Sequence, residues 1–431
     1  MKNYKRRILM SLFVVSSLGT TFAQEAVENT LASDVEQLQS DNLIAKRLKI
    51  TGYVQVQYQK ADTAGISSYA GGDFTSTVDN RIAVRRGRVK FAYDNENAQA
   101  VMQFDITEKG LGIKDAYLSL TDPWLNTISL TGGVFDRPFG YEISYSSSAR
   151  ETPERSRVFQ TLFPGERDLG ARLTFQAPKT SRWNFLKLDL GLMDGNGTNV
   201  ETDSYKDFIG HLSATKSSRD EKLKWGIGAS YYNGGYGAAT TKSFSMKEVG
   251  GVQAFTESAI TKGDKTNREY LGLDGQISYD WALGITQVRA EYLMGTQPGA
   301  DKKTGSLTAA ASGDVYNRKF NGYYAYFIQN ILQTPLQAVV KYDVYDPNTA
   351  VSGNEIGQSA TGAVATGAGD IKYSTIGLGL NYRWSSNVKF MAYYDIVKNE
   401  TTSLIHTTST LTDLSHDRKD NVFTFRVQYK F

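Results

Sequence analysis

The sequence contains no cysteine, three histidines and only eight prolines among 431 residues. Without cysteine, the chain can carry neither a disulfide nor a lipid-modified cysteine, and this absence says nothing further about redox compartment. His211, His406 and His416 are too few and too widely spaced for a zinc site. The scarcity of histidine also argues against a hydrolase, because only His211 lies in a predicted strand and no Gly-x-Ser-x-Gly motif surrounds a serine.

No segment after residue 23 is long and apolar enough for a transmembrane helix. The mean hydropathy of −0.39 is typical of a soluble protein, but barrel strands also give low values because only every second residue is apolar. The 40 glycines and 26 tyrosines favour strands and flexible loops over helices. The formal charge of +3 is nearly balanced, so it gives no reason to expect a nucleic-acid partner.

The N-terminal segment has the pattern of a secretory signal peptide. Basic residues within 2–7 precede an apolar run at 8–18, and small residues end at Ala23. This pattern predicts that residues 1–23 are removed during export. Apolar residues then recur at roughly helical spacing, which predicts a short helical or coiled-coil periplasmic segment at 24–48. A disordered polar linker is the alternative for that segment.

The last eleven residues alternate with a period of two. One face carries only apolar side chains: Phe423, Phe425, Val427, Tyr429 and Phe431. The other face is mainly polar: Val422, Thr424, Arg426, Gln428 and Lys430. A strand with these two faces is typical of a transmembrane barrel, which has lipid outside and water inside. The terminal Phe431 also resembles the signal by which the assembly machinery recognises bacterial outer-membrane barrels.

Sixteen segments with this alternation follow residue 48, each close to the ~9–11 residues of a tilted membrane strand. They lie near 49–58, 81–94, 97–106, 111–121, 126–135, 168–176, 183–192, 206–215, 221–232, 268–279, 285–294, 319–330, 335–345, 372–383, 387–398 and 420–431. Short links and long Gly/Ser/Thr-rich links nearly alternate, as periplasmic turns and extracellular loops do; the link at 107–110 is short where a long loop is expected. The sequence therefore predicts an all-β fold, a transmembrane antiparallel β-barrel of about sixteen strands filling 49–431. A soluble β-sandwich, the alternative, gives no reason for link lengths to alternate.

The predicted strand 81–94 carries the strongest charge pattern. Its apolar residues face lipid, and its pore face is a cationic row: Arg86, Arg88 and Lys90. Strict alternation would put Arg85 on the lipid face. Arg85 is therefore expected either to lie near the rim or to be redirected by a β-bulge. Arg172 points inward from strand 168–176. Inward bases outnumber inward acids, which favours anions modestly, although any water-filled lumen needs polar residues.

The long loop at 136–167 is dense in charge. Its arginines are Arg137, Arg150, Arg155, Arg157 and Arg167. An equal number of acids accompanies them: Glu142, Glu151, Glu154, Glu166 and Asp168. Arginine grips phosphate or carboxylate with a planar fork, and a loop folded into the barrel would bring these charges to a narrow constriction. In the alternative, the acids neutralise the arginines and only pin the loop to the wall.

Four segments resemble the phosphate-selective porin O/P family. They are Gly132–Glu142, similar to its "GxFKxPFGLE" run; Glu154-Arg155-Ser156, similar to "ERS"; Phe163–Gly170, similar to "PGRDxG"; and Arg85–Val89, similar to "RRARL". The resemblance extends over the chain and implies a homotrimeric sixteen-stranded channel whose third loop folds inward and whose basic residues guide anions. It marks Arg85, Arg86, Arg150 and Arg155 as candidate anion contacts. Arg137 replaces a frequent lysine and Glu166 is inserted beside Arg167, so phosphate preference is a hypothesis.

These observations predict an outer-membrane porin for passive diffusion of small hydrophilic solutes, with anions preferred. The alternatives are a non-selective general porin, or a barrel enzyme or adhesin with a closed lumen. Asp194–Asn199 spaces oxygen ligands as calcium loops do, but lacks the distal acid that an EF-hand needs. The sequence therefore predicts no catalytic activity, no cofactor and no metal.

Overall fold

The computed structural model describes residues 46–301 and 313–431. Eighteen strands form one sheet. The strands are β1 Leu48–Ala61, β2 Asn80–Asn95, β3 Ala98–Thr107, β4 Gly110–Thr121, β5 Ile128–Asp136, β6 Arg167–Gln176, β7 Leu186–Met193, β8 Asp207–Ser217, β9 Leu223–Gly234, β10 Lys242–Val249, β11 Val252–Ala259, β12 Arg268–Trp281, β13 Gly284–Gly299, β14 Val315–Asn330, β15 Leu336–Asp346, β16 Tyr373–Arg383, β17 Val388–Asn399 and β18 Val422–Lys430. A helix, α1, spans Arg157–Leu162, and two 3₁₀ turns lie at Gly353–Glu355 and Ala368–Asp370.

The sheet closes into a barrel of sixteen antiparallel strands. Strand β1 pairs with both β2 and β18, and β9 pairs directly with β12. Strands β10 and β11 therefore stand outside the barrel wall as a hairpin of the fifth extracellular loop. The predicted all-β barrel of about sixteen strands is confirmed. The hairpin differs from prediction, because the interval 233–267 was assigned entirely to loop; β10 also pairs in parallel with the start of β14.

Alternation of side chains along β18 follows the predicted faces. Phe423, Phe425 and Tyr429 are 37%, 40% and 52% exposed, whereas Thr424 and Arg426 on the other face are 0% and 2% exposed. The apolar face therefore points to lipid and the polar face into the lumen. Among the described residues, none of the helices has the length and apolar content required to cross a bilayer. The predicted signal peptide 1–23 and residues 24–45 of the predicted helical segment lie outside the described residues.

Two β-bulges change which side chains reach the lumen. Across from β1, Gln55 pairs with Arg86 and Val56 with Val84, which leaves Arg85 as the extra residue of β2. Lys114 is the extra residue of β4 in the same way. A bulge turns its extra side chain away from strict alternation. The bulge explains why Arg85 contacts the lumen although its parity predicts the lipid face.

The third extracellular loop, L3 (residues 137–166), enters the barrel. Phe139, Phe159 and Phe163 of L3 are buried against inward aromatic rings of the wall, with ring centroids 5.8–6.5 Å apart. The wall rings in these contacts are Tyr232, Tyr270 and Tyr324. Within L3, the Phe163 ring lies 5.0 and 5.7 Å from the rings of Phe139 and Phe159. Such pairs add about 0.5–1.5 kcal/mol each beyond the area they bury. This apolar core lies against the wall from β9 to β15. Open space remains toward β1 to β4 and β18 and, beside Tyr141, toward β8, β9, β12 and β13.

Candidate pore constriction

Glu154 fastens L3 to the cationic wall. It accepts hydrogen bonds from Arg85 at 2.8 and 2.9 Å, from Arg86 at 2.7 Å and from Arg426 at 2.9 Å. Burial disfavours its ionised form, but the three guanidinium groups outweigh burial and hold the pKa of Glu154 well below its ordinary value of 4.5. Arg426 also donates to the carbonyl of Pro153 at 2.8 Å. Strands β2 and β18, which flank β1, therefore grip the same carboxylate.

Arg155 braces the loop from within. It donates to the carbonyls of Glu142 and Ile143 at 2.8 and 2.7 Å and forms an ion pair with Glu166. Arg167 at the start of β6 binds Glu166 at 3.0 Å and Asp115 at 2.9 Å. These contacts leave Arg155 only 5% exposed. L3 is consequently a rigid element with a fixed guanidinium at its centre.

Further contacts attach L3 to other parts of the wall. Arg289 of β13 binds Glu151 with two hydrogen bonds of 2.9 Å. Asn381 of β16 and Lys389 of β17 each donate to L3 carbonyls at 2.9 Å. Bidentate arginine–carboxylate pairs fix orientation as well as distance. L3 is therefore held from β1 and β2 to β13, β16, β17 and β18.

Arg150 differs from the other loop arginines. It is 2% exposed, and none of its three guanidinium nitrogens has a hydrogen-bond partner among residues 46–301 and 313–431. Its own carbonyl accepts a hydrogen bond from Lys389. A buried guanidinium without a counter-ion is costly unless an anion or water reaches it. Among the predicted arginines, Arg150 is therefore the one whose charge is least compensated, and it acts on an anion through its electric field because its guanidinium is buried.

The remaining predicted residues are dispersed. Arg88 contacts Asp105 at 3.3 Å and the Ser147 hydroxyl at 3.1 Å, whereas Lys90 has no ion pair within the described ranges. Of the three other arginines, Arg157 lines one cavity together with Arg155 and Glu154, whereas Arg137 and Arg172 lie apart from it. Arg137 is buried against Asp168 at 2.8 Å, Arg157 lies between the rings of Tyr69 and Tyr373 at 4.3 and 4.0 Å, and Arg172 lies 4.0 and 3.9 Å from Asp136 and Asp189.

Arg155 lines a cavity on each side of L3. Toward the extracellular loops, a cavity of about 20 Å³ has four acids and three bases in its lining. Toward the periplasm, a cavity of about 330 Å³ has five bases and two acids. Those charged residues are Arg88, Lys90, Arg155, Arg167, Lys430, Asp115 and Asp136. The local excess of positive charge lies on the periplasmic side, where low-dielectric walls strengthen it.

Sequence reasoning missed Lys114 and the role of Glu154 as an anchor. Lys114 reaches inward because of a bulge. The signal is that alternation reverses at this point: Ile113 faces outward and is 56% exposed, whereas Asp115, two residues later, faces inward and is 9% exposed. Glu154 was read only as one acid among several. Its partner Arg426 lies 272 residues away in the sequence, so the pairing has no local signal. In the part of the chain that the structure describes, no group of three or more His, Cys, Asp or Glu residues is arranged to hold a metal.

No protein-family model and no curated protein matches the sequence. Solved structures do match. The anion-selective porin from Comamonas acidovorans has a TM-score of 0.51 at 12% identity, covering 89% of this chain and 99% of that chain. The outer membrane channel DcaP of Acinetobacter baumannii has a TM-score of 0.51 at 13% identity, covering 89% of this chain and 97% of that chain. Pseudomonas putida OprB has a TM-score of 0.54 at 9% identity, covering 91% of this chain and 96% of that chain. At such identities the likeness concerns architecture, and this chain has the fold of bacterial outer-membrane porins.

Proposed function

We propose that this chain is an outer-membrane porin through which small hydrophilic solutes diffuse passively, with anions preferred. The observation that carries the proposal is the basic cavity beneath L3, with five bases and two acids inside a closed barrel. A solute would enter between the extracellular loops, pass Arg155 and leave through this cavity. The fixed charges act on the solute electrostatically and no bond is made or broken.

Preference among anions depends on which arginines are free to bind. Arg85 and Arg86, two of the four contacts implied by the family resemblance, are occupied by Glu154. Arg150 has no such partner among the described residues. We infer that phosphate-like anions are favoured through Arg150 and the general positive field. The ion pairs favour a second candidate, a general porin with weak selectivity, because each pair cancels one cation.

The assembled form belongs to the same proposal. We infer an exported protein whose residues 1–23 are removed, which is inserted through recognition of Phe431 and surrounded by outer-membrane lipid as a homotrimer. Catalysis is not part of the proposal, because the buried acids and bases of L3 are committed to holding the loop in place. A barrel with an adhesive role would instead have a lumen that does not conduct.

Conductance in planar bilayers tests the proposal. Purified protein should conduct without any added substrate, and the reversal potential in a potassium chloride gradient should show greater chloride than potassium permeability. Equal permeabilities would support the general porin. A protein that shows the heat-modifiable electrophoretic mobility of a folded barrel but does not conduct would refute both candidates and favour a closed enzyme or adhesin. Repeating the gradient in phosphate and dicarboxylate salts ranks the anions.

A further inference from the structure

The cavity on the periplasmic side of L3, hereafter the vestibule, is larger than an inorganic anion requires. Its volume of about 330 Å³ falls in the range of pockets that hold small organic ligands, roughly 300–1,000 Å³. An ion of phosphate size would contact only a small part of its wall. The dimensions therefore suit a solute with several carbon atoms.

Two lysines of the vestibule are available to such a solute. Lys90 of β2 pairs in register with Thr51 of β1, and Lys430 of β18 pairs with Tyr53 of β1. They consequently lie on the two sides of β1, about 12 Å apart at the backbone, since neighbouring strands are ~4.8 Å apart and the two pairing positions are separated by two residues, ~6.7 Å, along β1. Neither lysine has an ion pair within the described ranges. The arginines of the vestibule, by contrast, are bound by carboxylates.

L3 adds an aromatic surface and hydroxyl groups to the same vestibule. Tyr145 lines the vestibule. Tyr141, which lines the neighbouring cavity, stacks on the Tyr145 ring with centroids 5.3 Å apart and planes 24° apart, and the guanidinium of Arg289 lies 4.5 Å from the Tyr145 centroid. The Tyr145 hydroxyl donates to Glu151 at 2.9 Å, which fixes the ring while leaving it half-buried. The exposed residues Ser144 and Ser146 line the vestibule beside this ring. A fixed aromatic face beside a few polar groups is typical of sites for polar organic molecules.

We propose that the vestibule binds hydroxylated organic anions of sugar size, namely sugar acids and sugar phosphates, as they pass through the channel. The inference rests on the proposed anion-preferring channel. The carboxylate or phosphate lies between Lys90 and Lys430, the apolar face of the carbon skeleton packs on Tyr145, and hydroxyl groups bond to Ser144 and Ser146. Lysine suits this role because its ammonium is a mobile point charge with three donors.

Block of chloride current by organic anions tests this proposal on the wild-type chain. Glucose 6-phosphate, glucuronate, glucose and inorganic phosphate are each added to one side of a bilayer. Because the chain lacks cysteine, a single Thr408→Cys in the eighth extracellular loop reports orientation by its reaction with an impermeant thiol reagent. The two sugar anions should halve the current at about tenfold lower concentration than phosphate, and more effectively from the periplasmic side. Glucose should have little effect.

Variants distinguish binding of the anion in the vestibule from a general electrostatic effect of the lumen. Lys90→Gln with Lys430→Gln should raise the half-blocking concentration of glucuronate about tenfold, since charge-assisted hydrogen bonds are lost. Tyr145→Leu should weaken block by both sugar anions, and Tyr145→Phe, which keeps the ring, should retain it. Lys224→Gln is the matched control, because Lys224 lines a separate cavity.

Three outcomes overturn the inference. They are an anion-selective current that sugar anions block no better than phosphate, equal effects of the double lysine variant and the Lys224 control, and unchanged block in Tyr145→Leu. Loss of anion selectivity in the wild-type chain is a different result, because it refutes the proposed function itself.

Discussion

Glu154 shows how a single carboxylate decides the position of L3. It is bound by Arg85, Arg86 and Arg426, and its side chain is 7% exposed. Removing one partner from a buried ionic cluster leaves charges that are neither hydrated nor compensated. Glu154→Gln keeps the shape of the side chain but leaves three guanidinium groups without a counter-charge.

Glu154→Gln should therefore destabilise the barrel by about 3–5 kcal/mol and increase current noise, since L3 loses its anchor. Urea unfolding in micelles measures the first effect and single-channel recording measures the second. Glu257→Gln provides the control, because the Lys242–Glu257 pair is about half exposed and such pairs contribute about 0–1 kcal/mol. Equal stability of the two variants would show that Glu154 does not anchor the loop.

Arg150→Ala should affect anion selectivity and not reduce stability, in contrast to Glu154→Gln. Because Arg150 has no counter-ion among the described residues, its removal should leave the free energy of unfolding unchanged or higher. The anion-over-cation permeability ratio should fall about fivefold or more, since one charge ~8 Å from a permeating ion contributes ~0.5–1 kcal/mol in favour of an anion and the same amount against a cation. Reversal potentials measure the ratio. Arg219→Ala in an exposed periplasmic turn is the control; an unchanged ratio in Arg150→Ala would exclude Arg150 as a source of selectivity.

At the level of elements, alternation was sufficient to predict the barrel strands but not the hairpin or the path of L3. The β10–β11 hairpin turns at Gly250-Gly251, both with positive φ. That dipeptide is a hairpin signal visible in the sequence. The path of L3 has no such signal, because its contacts join residues far apart in the chain, as for Glu151 with Arg289. Local patterns set strand faces, and only tertiary packing determines which of the loop charges pair.

The anchoring of L3 should resist acid until the pH falls well below 4.5. The pKa of Glu154 is depressed, because the arginines outweigh the effect of burial. Burial likewise opposes ionisation of Glu166, and Arg155 and Arg167 lower its pKa. A depressed carboxyl pKa gives stability that is complete above the ordinary value of 4.5 and lost as the pH falls through the folded value.

The contribution of Glu154 to thermal stability, measured as the difference between the wild-type chain and Glu154→Gln, should consequently be the same at pH 7 and pH 5 and fall only in stronger acid. Glu154→Gln lacks one of these groups, so its acid-induced change should be smaller. A difference between the two chains that shrinks between pH 6 and pH 5 would contradict this assignment.

For the whole molecule, selectivity should depend on salt because Lys90 and Lys430, which have no ion pair with any residue that the structure describes, line the vestibule. The Debye length falls from about 10 Å at 0.1 M to about 3 Å at 1 M, which screens Lys90 and Lys430 from a permeating ion. The anion-over-cation ratio should therefore approach one at 1 M potassium chloride. Lys90→Gln with Lys430→Gln should reduce the salt dependence. An anion-over-cation ratio that does not change with salt concentration would show that buried charged groups determine selectivity.

Closure of the barrel depends on the seam between β1 and the chain terminus. The backbone groups of Gly52 and Phe431 exchange hydrogen bonds of 3.0 and 2.9 Å. A Cβ atom at Gly52 would lie 2.5 Å from both the Phe431 ring and the carbonyl of Arg88. Only glycine therefore lets the terminal ring lie across β1. Phe431 consequently packs the seam, a role that is separable from its proposed recognition by the assembly machinery.

Refolding and cellular assembly distinguish these roles. Gly52→Val should fail to form a heat-modifiable barrel both in detergent and in cells, because the clash involves backbone. Deletion of Phe431 should reduce outer-membrane yield in cells, yet should allow refolding in detergent if recognition is its main contribution. Gly112→Val is the control, since a Cβ atom there meets nothing within 4 Å. Normal cellular yield without Phe431 would remove the recognition role, and normal refolding of Gly52→Val would show that the seam tolerates a side chain at that position.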